Sequence, residues 1–314
     1  MNLPIDAVDK KILANLIKNS RIPLTLLAKS AGISREVVTY RLNRLKEKGI
    51  ILGFVTEINI NKLGFLEAAV FVTTKTNREN EFKNYLLTSD YISWVGEHVG
   101  IWDYGMSIFG KTAEEIDANF LEFYQKFKDI MIDHRLTLNK KNSFFYEKLF
   151  GVEYRNHKKT TLAYKADETD KRILSLLSLN ARVDYVELSS KIKLTAPAIK
   201  DRIKKLESTG YIERYTTFLD FSKLNLYQYS IFIVNKNIQD RQNLLSYLAR
   251  HPDICYTVEY LGDPFIEFGV LINNPYDLRK ILRDMDNLFP ENRILEISLQ
   301  KEVVSINPAK CVFE

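Results

Sequence analysis

The sequence predicts an α+β fold in which one unit is written twice. Each copy reads as a three-helix domain with a wing, followed by a β-α-β-β-α-β domain. Three observations predict this. With Asp6 set against Asp167, an offset of 161, sixteen of 58 residues match without a gap as far as Leu63 and Leu224. Within each copy the apolar spacing switches from a helical period to short β-branched and aromatic runs. The 314 residues suffice for about two units at ~150 residues each. The boundaries fall at 1–60 and 61–153 for the first copy, 154–166 for a basic, polar linker, and 167–221 and 222–314 for the second.

Taken in order, Asp6 is a cap for a first helix with a stripe of Ile12, Leu13, Leu16 and Ile17. Pro23 suits the first turn of a second helix facing inward with Leu26, Leu27 and Ala28, and Gly32-Ile33 turns the chain. Ser34 caps a third helix whose Val38, Leu42 and Leu45 recur on one face until Gly49 stops it. Residues 50–55 and 57–60 are apolar runs expected to pair as a hairpin, the wing. Strands follow at 68–74, 91–99, 104–109 and 132–146. Between them lie a helix marked by Phe82, Tyr85 and Leu86 and a longer one striped by Phe120, Phe123, Tyr124 and Phe127. The second copy repeats the order, with Ile173, Leu174 and Leu177, a turn at Lys193-Leu194, Thr195 as cap and then Ile199, Ile203 and Leu206. Its strands are expected at 229–234, 254–261, 266–272 and 293–304. The β-α-β-β-α-β order gives an antiparallel sheet with both helices on one face, the ferredoxin-like arrangement. The other face still carries aromatic and aliphatic residues, so a second sheet is expected to cover it.

Composition narrows the classes. Hydrophobic residues at 46% and charged residues at 27% are ordinary globular usage, and no run approaches eighteen apolar residues, so no membrane span is expected. Met1 to Asp6 lacks the basic flank and apolar core of a signal peptide. Two cysteines and four scattered histidines make neither a disulfide framework nor a metal site, and they point to a reducing, cytoplasmic setting. No cofactor is expected. A net charge of +5 permits an anionic partner without demanding one.

The third helix concentrates charge. Arg35, Arg41, Arg44, Lys46 and Lys48 stand against Glu36 and Glu47, a local +3. Arg35, Glu36, Thr39, Tyr40, Asn43 and Arg44 fall on the side away from the apolar stripe, the arrangement a helix needs to lie in the major groove and address phosphates and base edges. Charge alone is better met by an ordinary solvated surface helix. In the second copy Lys200, Lys204 and Lys205 suit phosphates, but Asp201 replaces Tyr40 and would meet negative surroundings. Arg41 and Arg202 suit a structural salt bridge as well as a phosphate.

Asp6-x-x-Asp9-x-x-Ile12-Leu13, Arg21, Leu27-Ala28, Gly32-Ile33-Ser34, Arg41-Leu42-x-Arg44-Leu45, Gly49-Ile50-Ile51 and Asn61-Lys62-Leu63-Gly64 together resemble the Lrp/AsnC (feast/famine) transcription regulators. The resemblance covers nearly the whole chain, twice over. It implies a tandem fusion of a winged helix-turn-helix with a ferredoxin-like sensing (RAM) domain, and it makes the third helix a DNA reader. It further implies double-stranded DNA as partner, self-association or an internal pseudo-dimer, and a small effector such as an amino acid near the turn Gly100-Ile101-Trp102-Asp103-Tyr104. There Gly100, Asp103 and Tyr104 are the candidate contacts, and the alternative is a plain β-turn with Asp103 capping the backbone. The second copy reads Gly262-Asp263-Pro264-Phe265-Ile266 and lacks the Asp-Tyr pair. His98, beside the first turn, is expected to be half-buried and satisfied, and Lys140-Lys141 to mark the turn-facing edge of a strand. An enzyme class, the sirohaem decarboxylases, is similar to the same family and remains the alternative. Its chemistry needs clustered basic residues, whereas His98, His134, His157 and His251 are scattered in sequence and not repeated.

Overall fold

The structure is a computed structural model and describes residues 4–152, 163–235, 240–262, 264, 266–305 and 308–314. The first copy runs α1 (Ala7–Lys18), α2 (Leu24–Ala31), α3 (Arg35–Glu47), β1 (Ile51–Ile58), β2 (Leu66–Thr74), α4 (Glu79–Thr88), β3 (Ile92–Val99), β4 (Tyr104–Gly110), α5 (Ala113–Phe127) and β5 (Met131–Phe144). The second runs α6 (Glu168–Leu179), α7 (Tyr185–Ile192), α8 (Ala196–Ser208), β6 (Ile212–Leu219), β7 (Tyr227–Asn235), α9 (Arg241–Arg250), β8 (Ile254–Tyr260), β9 (Ile266–Ile272), α10 (Asp277–Leu288) and β10 (Asn292–Ser305). Most of the linker and His157 lie outside the described residues, as do Asp263 and Phe265.

The elements gather by kind rather than by copy. One compact unit takes residues 5–65, 153–220 and 307–314, and the other takes 66–152 and 221–306 together with the first four residues. Chain order therefore separates what folding joins. The last residues, expected to belong with the second β domain, form a 3-10 turn at Lys310–Phe313 that packs on α6 in the helical unit.

In the helical unit the helices start where side-chain caps allow. Asp6 accepts from Asp9 N–H at 2.8 Å and Ser34 from Val37 N–H at 3.3 Å, each satisfying a donor the helix leaves unpaired. Gly32 ends α2 at φ +73°, a conformation that favours glycine. The expected wing hairpin does not form. Residues 51–58 make one continuous strand, since Val55-Thr56-Glu57 offers no turn residue, and β1 pairs antiparallel with β6 of the other copy. Val55 and Thr216, equivalent in the repeat, face each other, so a pseudo-twofold passes between them. Around it the contacts are reciprocal. Ala181 N–H donates to Phe54 O and Ser20 N–H to Tyr215 O, at 2.8 and 3.1 Å. Arg21 reaches the carbonyls of Ala181 and Val183, while Arg182 reaches those of Ser20 and Ile22.

In the β unit, each copy forms the sheet expected of its β-α-β-β-α-β order. The core lies between sheet and helices, with Phe82, Phe123 and Phe127 against Val70, Met106 and Ile108 in the first copy, and Leu244, Leu248, Ile281 and Met285 against Ile231 and Phe268 in the second. The second faces cover each other, as expected. The edges also join, and the eight strands close into a barrel in the order β10-β3-β4-β2-β5-β8-β9-β7. The two fourteen-residue strands do this. β5 pairs with β2 up to Leu138 and with β8 from Asn139, and β10 passes likewise from β7 to β3. Lys140 and Lys141 therefore sit within β5 at the irregularity where it changes partners, not at a turn.

Candidate nucleic-acid interface

α3 is fixed by its inner face. Val38, Leu42 and Leu45 are buried, and Arg35, Glu36, Thr39, Tyr40 and Asn43 are exposed on the opposite side. Tyr40, at 66% exposure, is a large aromatic held out from the unit. Three of the predicted readers, Arg44, Glu36 and Thr39, also make contacts within the unit. Arg44 turns back, its Nη2 2.5 Å from Asp9 Oδ2, and is half-buried rather than free. Glu36 sits in the first turn, where its own backbone N–H and the Ser34 hydroxyl hold its carboxyl below the usual range; this is a capping arrangement. Thr39 donates its hydroxyl to Arg35 O at 3.0 Å.

Arg41 settles as a structural residue. It lies 2.6 Å from Asp6 and 2.9 Å from Asp9, and the bond to Asp6, with the Asp9 backbone N–H, holds the Asp6 carboxyl below its ordinary pKa. The second copy repeats the device with Arg202 2.8 Å from both Asp167 and Asp170. A network of two carboxylates thus clamps the third helix to the first in each copy. On α8, Lys200, Asp201, Lys204 and Lys205 are all exposed, and the Lys205 ammonium lies 3.8 Å over the Tyr164 ring. α3 therefore presents mixed hydrogen-bonding groups and an aromatic, whereas α8 presents lysines and one carboxylate.

The turn after β3 is tied to the neighbouring backbone by Asp103. Asp103 accepts Thr74 N–H on its carboxylate at 2.7 Å, and its carbonyl accepts His98 N–H at 2.7 Å; this is the capping alternative. The Tyr104 ring is buried against Phe82 with its hydroxyl toward Glu79. At Gly100 (φ +145°) a Cβ would come within 3.0 Å of Ile297 O, so the close backbone approach is to β10. His98 is not half-buried but 5% exposed, and neither ring nitrogen has a protein partner. Burial lowers its pKa to about 4 against the charge of Glu97.

Sequence reasoning did not assign Arg21, Arg182, Asp9 and Asp170 their work. The signal was present, since all four recur between copies at the 161-residue offset, and identity at a polar position is what a shared clamp leaves behind. Trp102, whose Nε1 donates to Glu296 at 2.7 Å, carried no such mark.

The chain is similar to known proteins. A family model described as winged helix-turn-helix DNA-binding matches residues 5–51 and again 167–213. The HTH-type transcriptional regulator FL11 of Pyrococcus furiosus is 28% identical over 137 residues, 43% of this chain and 90% of that protein. The HTH-type transcriptional regulator LrpB of Bacillus subtilis is 31% identical over 121 residues, 38% of this chain and 80% of that one. Among solved structures, the siroheme decarboxylase NirDL superposes with a TM-score of 0.63 at 12% identity, covering 96% of this chain and 94% of its own. That likeness speaks to the fold alone, a duplicated one.

Proposed function

Because the chain belongs to the Lrp/AsnC family of transcription regulators, we propose that it is a sequence-specific DNA-binding regulator in which α3 enters the major groove. Arg35, Thr39, Tyr40 and Asn43 read base edges, and Lys200, Lys204 and Lys205 of α8 hold phosphates. Arg44 sets the pitch of α3 through Asp9, and Glu36 caps it. One observation carries this reading: α3 is anchored by Val38, Leu42 and Leu45 and turns a row of exposed donors and acceptors outward. The family carries an effector expectation as well, but the contacts of Gly100, Asp103 and Tyr104 support a structural turn, so no effector is assigned there. The reading carries with it a cytoplasmic setting, where a regulator of this kind meets its DNA. Separately, no helix among the described residues is long and apolar enough to cross a membrane.

The regulator reading is preferred to an enzyme for a physical reason. Among the described histidines, His98 lies inside the barrel, His134 stacks near Phe120 and Tyr124, and His251 caps the end of α9 beside Tyr247. They do not converge on one substrate.

Site selection from a random duplex library tests the proposal. Enrichment of a defined sequence is expected, with Asn43→Ala losing about 1–3 kcal/mol of discrimination at fixed salt. Binding without sequence preference overturns it, as does sirohaem retained with its Soret band and decarboxylated on incubation.

A further inference from the structure

Two residues inside the barrel hold the same place in the two copies and carry opposite charges. Arg135 sits opposite Phe71 in the β5–β2 ladder, and Glu296 sits opposite Phe232 in the β10–β7 ladder. Phe71 to Phe232 and Arg135 to Glu296 are both separated by the repeat offset of 161. Both pairs meet across the internal pseudo-twofold. The phenyl rings pack edge-on at 5.0 Å, and Arg135 Nη2 lies 2.5 Å from Glu296 Oε1. The second Glu296 oxygen accepts from Trp102 Nε1 at 2.7 Å, and the Arg135 guanidinium lies 5.3 Å over the Trp102 ring. Two groups of the first copy thus close around one carboxylate of the second, whose side chain is only 8% exposed.

A twofold interface brings equivalent positions together. Were two chains to pair second half with second half, Glu296 would face Glu296 with no Arg135 present. That interior would also hold two copies of Glu267, a carboxyl whose pKa burial raises and the Glu296 charge raises further. First half with first half would set Arg135 against Arg135. The halves exist in equal number because they are one chain, so each first–first barrel leaves second halves to pair with each other. A penalty on either pairing therefore counts against both.

We propose that the Arg135–Glu296 pair makes the inner face of each half-barrel selective for the unlike half. The partner this surface fits is the complementary half, from its own chain or from a second copy of this chain, and never the like half. Every closed barrel then contains one covalent continuation to each of the two unlike reading helices. The proposal does not depend on DNA recognition.

The test uses the full-length chain and no DNA. Arg135→Glu and Glu296→Arg, singly, are expected to raise the unfolding constant in urea by roughly a hundredfold or more, and the double charge swap to restore most of the loss. A second arm keeps the test decisive if the single variants fold poorly. The two single variants, one isotopically heavy, are refolded together and weighed by native mass spectrometry. Since each finds its complement only in the other, mixed species should exceed the statistical proportion, and soluble yield should exceed that of either alone. Single variants as stable as the parent, a double swap no better than the worse single, or statistical mixing would each overturn the proposal.

Discussion

The Asp9 side chain is 2% exposed and held by two guanidiniums, those of Arg41 and Arg44, so removing either leaves buried charge short of a partner. Arg41→Ala should cost about 1–3 kcal/mol in urea unfolding, because Arg44 still holds Asp9. His98 gives a second handle. Burial brings its folded-state pKa to about 4 from 6.5, so folding favours the neutral ring. The associated stability is complete above pH 6.5 and is lost as pH falls toward 4, since the unfolded chain takes up the proton first. The loss should reach about 3 kcal/mol by pH 4, and His98→Leu should flatten it. Urea midpoints at pH 7 and pH 4.5 for parent and variant check this. The Asp6 carboxyl, lowered by Arg41, acts in a separate window, since its contribution is lost only below the ordinary carboxylate range.

The reading helices differ in what their outer faces hold, and so in what substitution should do. Tyr40→Ala and Asn43→Ala in α3 should relax sequence preference and leave the salt dependence of binding nearly unchanged. Lys200→Ala with Lys204→Ala in α8 should weaken binding to all sequences and reduce the slope of log K against log salt by about 2. Titration of one specific and one random duplex at several salt concentrations separates the two effects. The helices themselves were legible because capping and apolar spacing are local: Asp6, Ser34, Thr195 and the Val38-Leu42-Leu45 stripe all do what their positions suggest. The wing was not. Its residues favour a strand, but nothing within 50–60 says that the partner lies at 212–219 of the other copy. The contact of Arg44 with Asp9 was illegible for the same reason, since the two lie 35 residues apart. The closed barrel escaped too, because the length of β5 was visible but its change of partner at Asn139 is a long-range choice.

For the whole molecule, duplication with divergence matters more than either copy. Identical subunits about a twofold recognise a palindrome, but Thr39, Tyr40 and Asn43 stand where the second copy has Lys200, Asp201 and Lys204. The preferred operator should therefore be asymmetric, with one half-site strongly specified and the other tolerant. Footprinting and mutation of each half-site in turn would show unequal losses; a perfect palindrome would count against it.

The ladders of this protein carry one more consequence. The two-stranded sheet takes one strand from each copy, and the barrel takes four from each, with both of its seams made by a strand of one copy bonded to a strand of the other. A protease that severed the chain between residues 153 and 162 would therefore liberate nothing. The two fragments would co-elute as a nicked complex, parted only by denaturant, and genes encoding them separately should reassemble the same particle on co-expression.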